Sequence, residues 1–470
     1  MLLLYTAICA LVLTLTSLVF IKNLQLGNYK IKKYIENIFK FNFAVGNKNK
    51  LKFTKRAIRL IFVNFLINFS LFLIIFYLIE NLLIKIIIIF AIFITSPYLF
   101  LTSVLLIQPC EIAIRHHYIK LAKNKLKMSS CKKIAITGSF GKTSTKNILY
   151  QLLRQEFDVC STPKSFNTPM VICKTILQDL KETDDFFIVE MGARNVGEIK
   201  FLAKMVGVDF GIITPIGNCH LETFGSVEKI EDAKYELCEN TTGPMIFNGK
   251  SKSTRKLFKR YPYKKYLVCT KGGFAYAEDI KCNENGSHFI LVIDGKRFPC
   301  KTRLLGHSSI DNIVVGAAMA YILGETLLSI QKAIEKLEQT PHRLQLIRGF
   351  VNIIDDSYNS NLDGFQEALR TIQTFSGRKI VVSPGIVELG EKQSDTNIKV
   401  GKEVAKIADI FVIMNETNKT ALYDGAKSGG MGKEQIFFAK TRQQQRDILK
   451  TILQKGDCVL FENDFPDNIK

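Results

Sequence analysis

Apolar and polar positions fall into two regimes along the chain. Residues 2–21 are almost continuously apolar and uncharged, and similar runs cover residues 60–79 and 86–107. Each can cross a hydrocarbon core of about 30 Å at about 1.5 Å per helical residue, so the pattern predicts a three-helix transmembrane anchor over 1–110. A cleaved leader is the rival reading of the first run, but a basic start and a small-residue cleavage site before the lysine-rich stretch are both lacking. From about residue 131 the period changes. Short apolar runs at 134–136, 157–162, 186–189 and 210–216 read as buried strands set between amphipathic segments. Farther on, candidate strands at 350–354, 379–382, 410–414 and 458–461 alternate with candidate helices at 362–375, 395–407 and 443–453. The expected fold class is therefore α/β, with two largely parallel sheets flanked by helices.

Charge sharpens the division. The chain of 470 residues carries a formal net charge of +21. Residues 1–133 hold 19 Lys and Arg against Glu36, Glu80 and Glu111, a net of +16, which leaves +5 for all the rest. A basic groove for nucleic acid on the α/β body is excluded by that distribution. Residues 22–59 carry eleven of the basic side chains and one acid, whereas the turn at 80–85 is nearly neutral. The first loop is thus expected on the cytoplasmic side, with a multi-pass location in the inner membrane and the α/β body in the cytoplasm. Residues 111–130, with Arg115, Lys120, Lys123, Lys125 and Lys127, read as a basic juxtamembrane linker lying on the lipid surface or as a solvated helix. Eleven cysteines show no paired spacing, so neither a zinc cage nor a disulfide framework is expected; Cys173 and Cys219 read as small buried residues.

Candidate chemistry concentrates after the first strand of the body, in KKIAITGSFGKTSTKNILYQL, residues 132–152. A strand, a glycine loop and a helix follow one another in the order a triphosphate cradle needs. Gly138 and Gly141 let the backbone turn around Ser139 so that N–H groups face a phosphate, and the helix adds its positive dipole end. Lys142 can reach the outer phosphates, the Thr143 hydroxyl can ligate Mg²⁺, and Ser144 completes the loop. Ile136 stands where the longer form of this motif has its first glycine.

Downstream, the loop at 163–169 offers Ser165, Phe166, Asn167 and Thr168, which can hold an anionic substrate or simply cap the next helix. Glu190 closes the strand at 186–189, the sheet edge where ligands collect and a carboxylate can hold Mg²⁺; ending a strand is its plain alternative. His220 lies just past another strand and can serve as a metal or phosphate contact or as a surface histidine. Lys234 falls in a charged helix at 228–236, where a solvated, salt-bridging lysine is the ordinary reading.

The set TGSFGKTS, VEMGARNVGEI and HLETFGSVEKIEDAKYEL resembles the Mur ligase superfamily, nearest to its D-alanyl-D-alanine-adding branch. The resemblance extends over about residues 131–470, through LLGHSSIDNIVVGAA, TPHRLQLI and IIDDSYNSN. It implies a central ATP-binding domain over 131–325 and a Rossmann-like C-terminal domain over 326–470. ATP and two Mg²⁺ ions are implied by the same resemblance: Glu190 and His220 position Mg²⁺, and a carbamylated Lys234 helps hold a second ion. Asn312 and Asp356 are implied to bind adenosine, Arg343 to reach the terminal phosphate, and Asn167, Thr168 and Asn359 to contact substrate. Three departures stand out. Ser308 and Ser309 replace a His-Asn pair, Glu462, Asn463 and Asp464 replace a Lys-Gly-Ser turn, and apolar spans occupy the place of the domain that grips a nucleotide-sugar. The implied activity is ATP-driven amide formation between a carboxylate and an amine in cell-envelope biosynthesis, on a membrane-linked or surface-polysaccharide acid or on the muramoyl-tripeptide. A membrane-tethered nucleotide switch or ATPase is the alternative from another class.

Overall fold

Serine and threonine side chains divide the first apolar run. Thr14 donates to the carbonyl of Ala10 at 2.7 Å and Ser17 to that of Leu13 at 2.9 Å. Such back-bonding bends a helix, and the run forms α1 (Leu2–Thr16) and α2 (Leu18–Leu26). The computed structural model describes residues 1–27, 29–40, 51–217, 221–358, 361–387 and 389–463. It separates into one unit of residues 1–118 and a second that begins at Ile119.

In the first unit, α3 (Ile31–Phe39) precedes α4 (Lys55–Leu78), α5 (Leu82–Ile94) and α6 (Ser96–Met128). Three stretches are long and apolar enough to cross a membrane: Leu2–Leu26, Lys55–Leu78 and Ser96–Met128. The expected third run at 86–107 is corrected here. It is divided between α5 and α6, because Pro97 has no N–H to continue the ladder and the Thr95 hydroxyl turns back onto the Ala91 carbonyl at 2.9 Å. Polar side chains link the apolar helices. Asn64 donates to Ser103 Oγ at 2.9 Å and Asn68 to Thr14 Oγ1 at 3.0 Å, while Arg59 meets Glu111 through two bonds of 2.7 and 2.9 Å.

The reading of 111–130 as a separate linker also changes. Residues 111–128 belong to α6, whose Ile119, Ala122 and Leu126 are buried in the second unit's core. There the Lys125 ammonium donates to the Leu180 carbonyl at 2.6 Å.

The second unit is built on two sheets. The first has the order β2-β3-β1-β4-β5-β6-β7-β8-β9. Its parallel part comprises β1 (Lys132–Thr137), β2 (Val159–Ser161), β3 (Phe186–Glu190), β4 (Phe210–Ile213), β5 (Met245–Asn248) and β6 (Lys265–Val268). A meander of β7 (Ala275–Asn283), β8 (Gly286–Ile293) and β9 (Lys296–Thr302) completes it. Continuous apolar runs suit strands covered on both faces. Ala135, Phe187 and Val189 face one core, and Ile134, Ile136 and Ile188 the other. On the second face α7 (Lys142–Leu153) buries Ile148, Leu149 and Leu152. The meander is absent from the sequence-based expectation, since its strands are half exposed and interrupted by charge.

The second sheet has the order β10-β11-β15-β12-β13-β14. Its strands are β10 (Gln345–Ile347), β11 (Asn352–Asp356), β12 (Lys379–Ser383), β13 (Ile410–Met414), β14 (Ile436–Ala439) and β15 (Cys458–Glu462), all parallel except β10. The α/β fold class with two sheets thus stands. Among the described residues ten cysteines are free thiols and Cys173 is fully buried, while Cys219 lies outside them.

Because Leu149 is 0% exposed beneath the sheet, Leu149→Ala should cost about 2–5 kcal/mol. Urea unfolding followed by circular dichroism measures it, and a loss under about 1 kcal/mol would contradict this packing.

Candidate active site

The topology puts three strand ends side by side. β1 pairs with β3 on one side and β4 on the other, so the chain reverses direction of growth across β1. Crevices at such switch points, beyond the carboxyl ends of the strands, are where α/β sheets bind ligands. The glycine loop follows β1, Glu190 ends β3, and Thr214 follows β4.

Gly138 has φ 147° and Gly141 φ 74°. A Cβ on Gly138 would lie 2.1 Å from Thr214 Oγ1, and one on Gly141 would lie 2.6 Å from Asn312 Oδ1. The loop therefore has room for backbone only. Its N–H groups are arranged differently from the expectation: Ser139 and Phe140 both donate to the Pro215 carbonyl, at 2.9 and 3.2 Å. At the start of α7, capped by Gly141, the first N–H groups have no i−4 partner within the helix, an arrangement that favours an anion. Lys142 lies back over the loop, its ammonium donating to the carbonyls of Gly138 at 3.0 Å and Ser139 at 2.9 Å.

Thr143 and Glu190 meet beneath this loop. The Thr143 hydroxyl donates to Glu190 Oε2 at 2.8 Å, and Asn167 Nδ2 approaches Oε1 at 3.4 Å. Glu190 is 1% exposed. A buried carboxylate held by a hydroxyl and an amide, beside a helix start that favours phosphate, is a donor set that fits Mg²⁺ and a nucleoside triphosphate. Asn312 sits at the base of the cradle, with Oδ1 accepting from the Thr145 hydroxyl at 3.1 Å.

The C-terminal domain brings Arg343 and Asp356. The Arg343 guanidinium lies 4.2 Å over the Tyr358 ring. The Tyr358 hydroxyl in turn hydrogen-bonds Ser165 of the loop at 163–169. Burial pushes the Asp356 carboxyl up to about 6, against the opposing pull of Arg343 and of the Leu344 N–H. A second tie joins the two domains: Glu367, from the helix Leu362–Gln373, accepts the N–H groups of His307 and Ser308 at the start of the helix Gly306–Ile322. Ser308 thereby contributes its backbone to this junction.

The remaining expectations divide. Lys234 is 3% exposed, in the helix Val227–Glu239, with its ammonium 6.0 Å from the centre of the Phe224 ring. The solvated-lysine reading is corrected, because its side of the helix faces the core. Thr168 occupies the cap position of α8 (Pro169–Gln178), yet its side chain makes no capping bond, so the simple cap reading of the loop also fails. Ser144 lies in the first turn of α7. His220 and Asn359 lie outside the described residues. Sequence reasoning missed Lys146, Thr214 and the bridging part of Tyr358. Only Lys146 left a trace, as a cation on the apolar side of a helix one turn past Lys142.

Comparison with known families agrees with this architecture. Residues 136–320 match the Mur ligase middle domain, and residues 342–462 match the Mur ligase glutamate ligase domain. Among curated proteins, the UDP-N-acetylmuramoyl-tripeptide–D-alanyl-D-alanine ligase of Bacillus subtilis is 26% identical over 360 residues, 73% of this chain and 75% of its own. That of Synechocystis is 29% identical over 337 residues, 70% and 71% of the two chains. Among solved structures, MurF from Thermotoga maritima in complex with ADP superposes with a TM-score of 0.68 at 26% identity, covering 74% of this chain and 80% of that one. MurF from Acinetobacter baumannii, at 24% identity with a TM-score of 0.67 over 74% and 77% of the chains, shares the fold.

Two measurements test the site. Gly141→Ala places a methyl against Asn312 at a left-handed φ, and Mg·ADP affinity should fall roughly tenfold or more in calorimetry; unchanged affinity would refute the cradle. Since Asp356 keeps its proton to about pH 6 in the folded state while the unfolded chain releases it near pH 4, its contribution to stability is complete below pH 4 and is lost as pH rises to 6. Asp356→Asn should therefore gain in melting temperature relative to the parent between pH 4.5 and 7, and a difference independent of pH would count against the shift. A strand–glycine loop–helix unit closed on Thr214 and Asn312, in a chain matching both the middle and the glutamate ligase domains of one family, leaves a single assignment: this chain belongs to the Mur ligase superfamily and is an ATP-dependent, ADP-forming carbon–nitrogen ligase, of a family that uses Mg²⁺.

Proposed function

We propose that the chain catalyses a MurF-type ligation in cell-wall synthesis, joining the amino group of D-alanyl-D-alanine or a close analogue to a peptide carboxylate. The observation that carries the reading is the Thr143–Glu190 bond of 2.8 Å beneath the glycine loop. It assembles a metal-ready pair where a terminal phosphate would lie. The names of the curated relatives supply the substrate class, which favours the muramoyl-tripeptide over an unspecified envelope acid.

Carboxylates do not acylate amines at neutral pH. In the proposed sequence a carboxylate oxygen of the acid substrate attacks the γ-phosphorus of ATP, the bond from that phosphorus to the β-γ bridging oxygen breaks, and ADP leaves. The amine nitrogen then attacks the acyl carbon, the carbon–oxygen bond to phosphate breaks, and the nitrogen loses a proton. Catalysis here is positioning and charge neutralisation. Lys142 and Arg343 supply fixed positive charge, the start of α7 receives phosphate oxygens, and Asn312 and Asp356 bound the adenosine side. Asn167, Thr168 and Asn359 would contact the acid or the amine. Thr143 and Glu190 would hold one Mg²⁺, which when bound neutralises charge on the transferring phosphoryl group. A second ion, with His220 and a carbamylated Lys234, rests on the family resemblance.

A lipid-linked carboxylate is the second reading, favoured by the three long apolar stretches. On this proposal they span the inner membrane. Tyr29, Arg56, Arg59 and Glu111, joined by the Arg56–Tyr29 stacking at 4.1 Å and the Arg59–Glu111 pair, mark their cytoplasmic ends. Tethering would raise encounter with a substrate confined to the same plane.

In nanodiscs, ADP release should require both UDP-N-acetylmuramoyl-tripeptide and D-alanyl-D-alanine, and Lys142→Ala should lower kcat about a hundredfold or more. Turnover only with lipid-linked precursor would select the second reading. Release with neither substrate present would establish an ATPase and overturn the ligase substrates proposed.

A further inference from the structure

α7 carries a second lysine, one turn beyond Lys142, that the phosphate cradle does not use. Lys146 is 0% exposed. Its ammonium donates to the Thr162 carbonyl at 2.5 Å and to the Lys164 carbonyl. Buried neighbours on the same helix side are Leu149 and Leu153, three and seven residues on, so an aliphatic residue would fill the space without the cost of burying a charge. Burial pulls this ammonium down to about 8, and Glu190 is the group that pulls it back up. Retaining a cation there has a geometric counterpart: both bonds go to one segment, the loop at 162–168.

That loop has two further attachments. Asn167 reaches Glu190, and Ser165 meets Tyr358 of the C-terminal domain. Thr162 also accepts the Glu190 N–H at 3.2 Å through its hydroxyl. Lys146 therefore connects the helix that begins at the phosphate loop with the segment that touches both the carboxylate of the metal-ready pair and the opposite domain.

We infer that Lys146 is a positioning residue that couples the phosphate cradle to the acid-substrate loop, holding Asn167 against Glu190 and Ser165 against Tyr358. The inference rests on the reading that this loop receives the carboxylate substrate. Without the ammonium, two carbonyls lose their donor and the loop is free to leave Glu190. The loss falls on the acid substrate, while the helix start that binds phosphate keeps its own backbone.

The chain contains no tryptophan, so Phe166→Trp introduces a single emitter within the loop. Lys146→Met and Lys146→Gln are then compared with the parent, full length and in nanodiscs, with and without that reporter. We expect Mg·ADP affinity and KM for ATP to stay within about threefold, and KM for UDP-N-acetylmuramoyl-tripeptide to rise about thirtyfold or more, equivalent to roughly 2 kcal/mol. Acrylamide quenching of the F166W emission should increase in both variants, and Gln, which keeps an N–H donor, should lie between Met and Lys. Unchanged quenching and unchanged KM for the acid would overturn the inference, as would a parallel loss of Mg·ADP binding, which marks a cradle residue. Should Lys146→Met not fold, Lys146→Gln decides by the same criteria. A parent enzyme inactive on this acid would reject the substrate reading alone, because quenching and Mg·ADP binding still judge Lys146.

Discussion

The contact on which the catalytic body depends is the hydrogen bond from Thr143 to Glu190. It joins the first turn of α7 to the end of β3, and the parallel register that sets Ile136 level with Glu190 makes it possible. A carboxylate this deeply buried is stable only with donors around it. Thr143 provides one from the first turn of α7 and Asn167 approaches with another from the loop at 163–169, while the Glu190 N–H is taken up by Thr162. Glycine at 138 and 141 lets the backbone approach Thr214 and Asn312 closely enough for this to happen. Remove the register and the glycine loop, the carboxylate and the segment carrying Asn167 no longer share one crevice.

A second constraint lies between the two sheets of this unit. Glu367 is buried and accepts two N–H groups at the start of the helix Gly306–Ile322, a favourable place for negative charge. Gly306, with φ 77°, leaves space for it. Near the crevice the domains meet again through Tyr358, which takes Arg343 on its ring and Ser165 on its hydroxyl. One junction is buried and the other half exposed.

Residues 1–118 follow other rules. Three of their stretches, Leu2–Leu26, Lys55–Leu78 and Ser96–Met128, are long and apolar enough to cross a membrane. Asn64, Asn68, Thr14 and Ser103 provide buried hydrogen bonds between helices, fixing which face of one meets the next. The Arg59–Glu111 pair, with two parallel bonds, joins α4 and α6 where the basic residues gather.

Periodicity and local chemistry were enough to read the apolar helices, the strand–glycine loop–helix unit around Lys142, the carboxylate at the end of β3 and the alternation of the C-terminal domain. Each is set by near neighbours in the chain, through turn chemistry, capping and continuous apolar runs. What surrounds those elements was decided in three dimensions. The division of 86–107 at Thr95, the placement of α6 residues in the second unit's core, the meander of β7 to β9 and the burial of Lys234 depend on which surface each segment meets. The same holds at the site: Ser139 and Phe140 turn their N–H groups to Pro215, Lys146 reaches into a loop sixteen residues away, and Tyr358 crosses to the other domain. A residue's type states what bonds it can make, but only packing states which partner is within reach. Long-range partners leave no period in the sequence, and that is why the motif was legible while its supports were not.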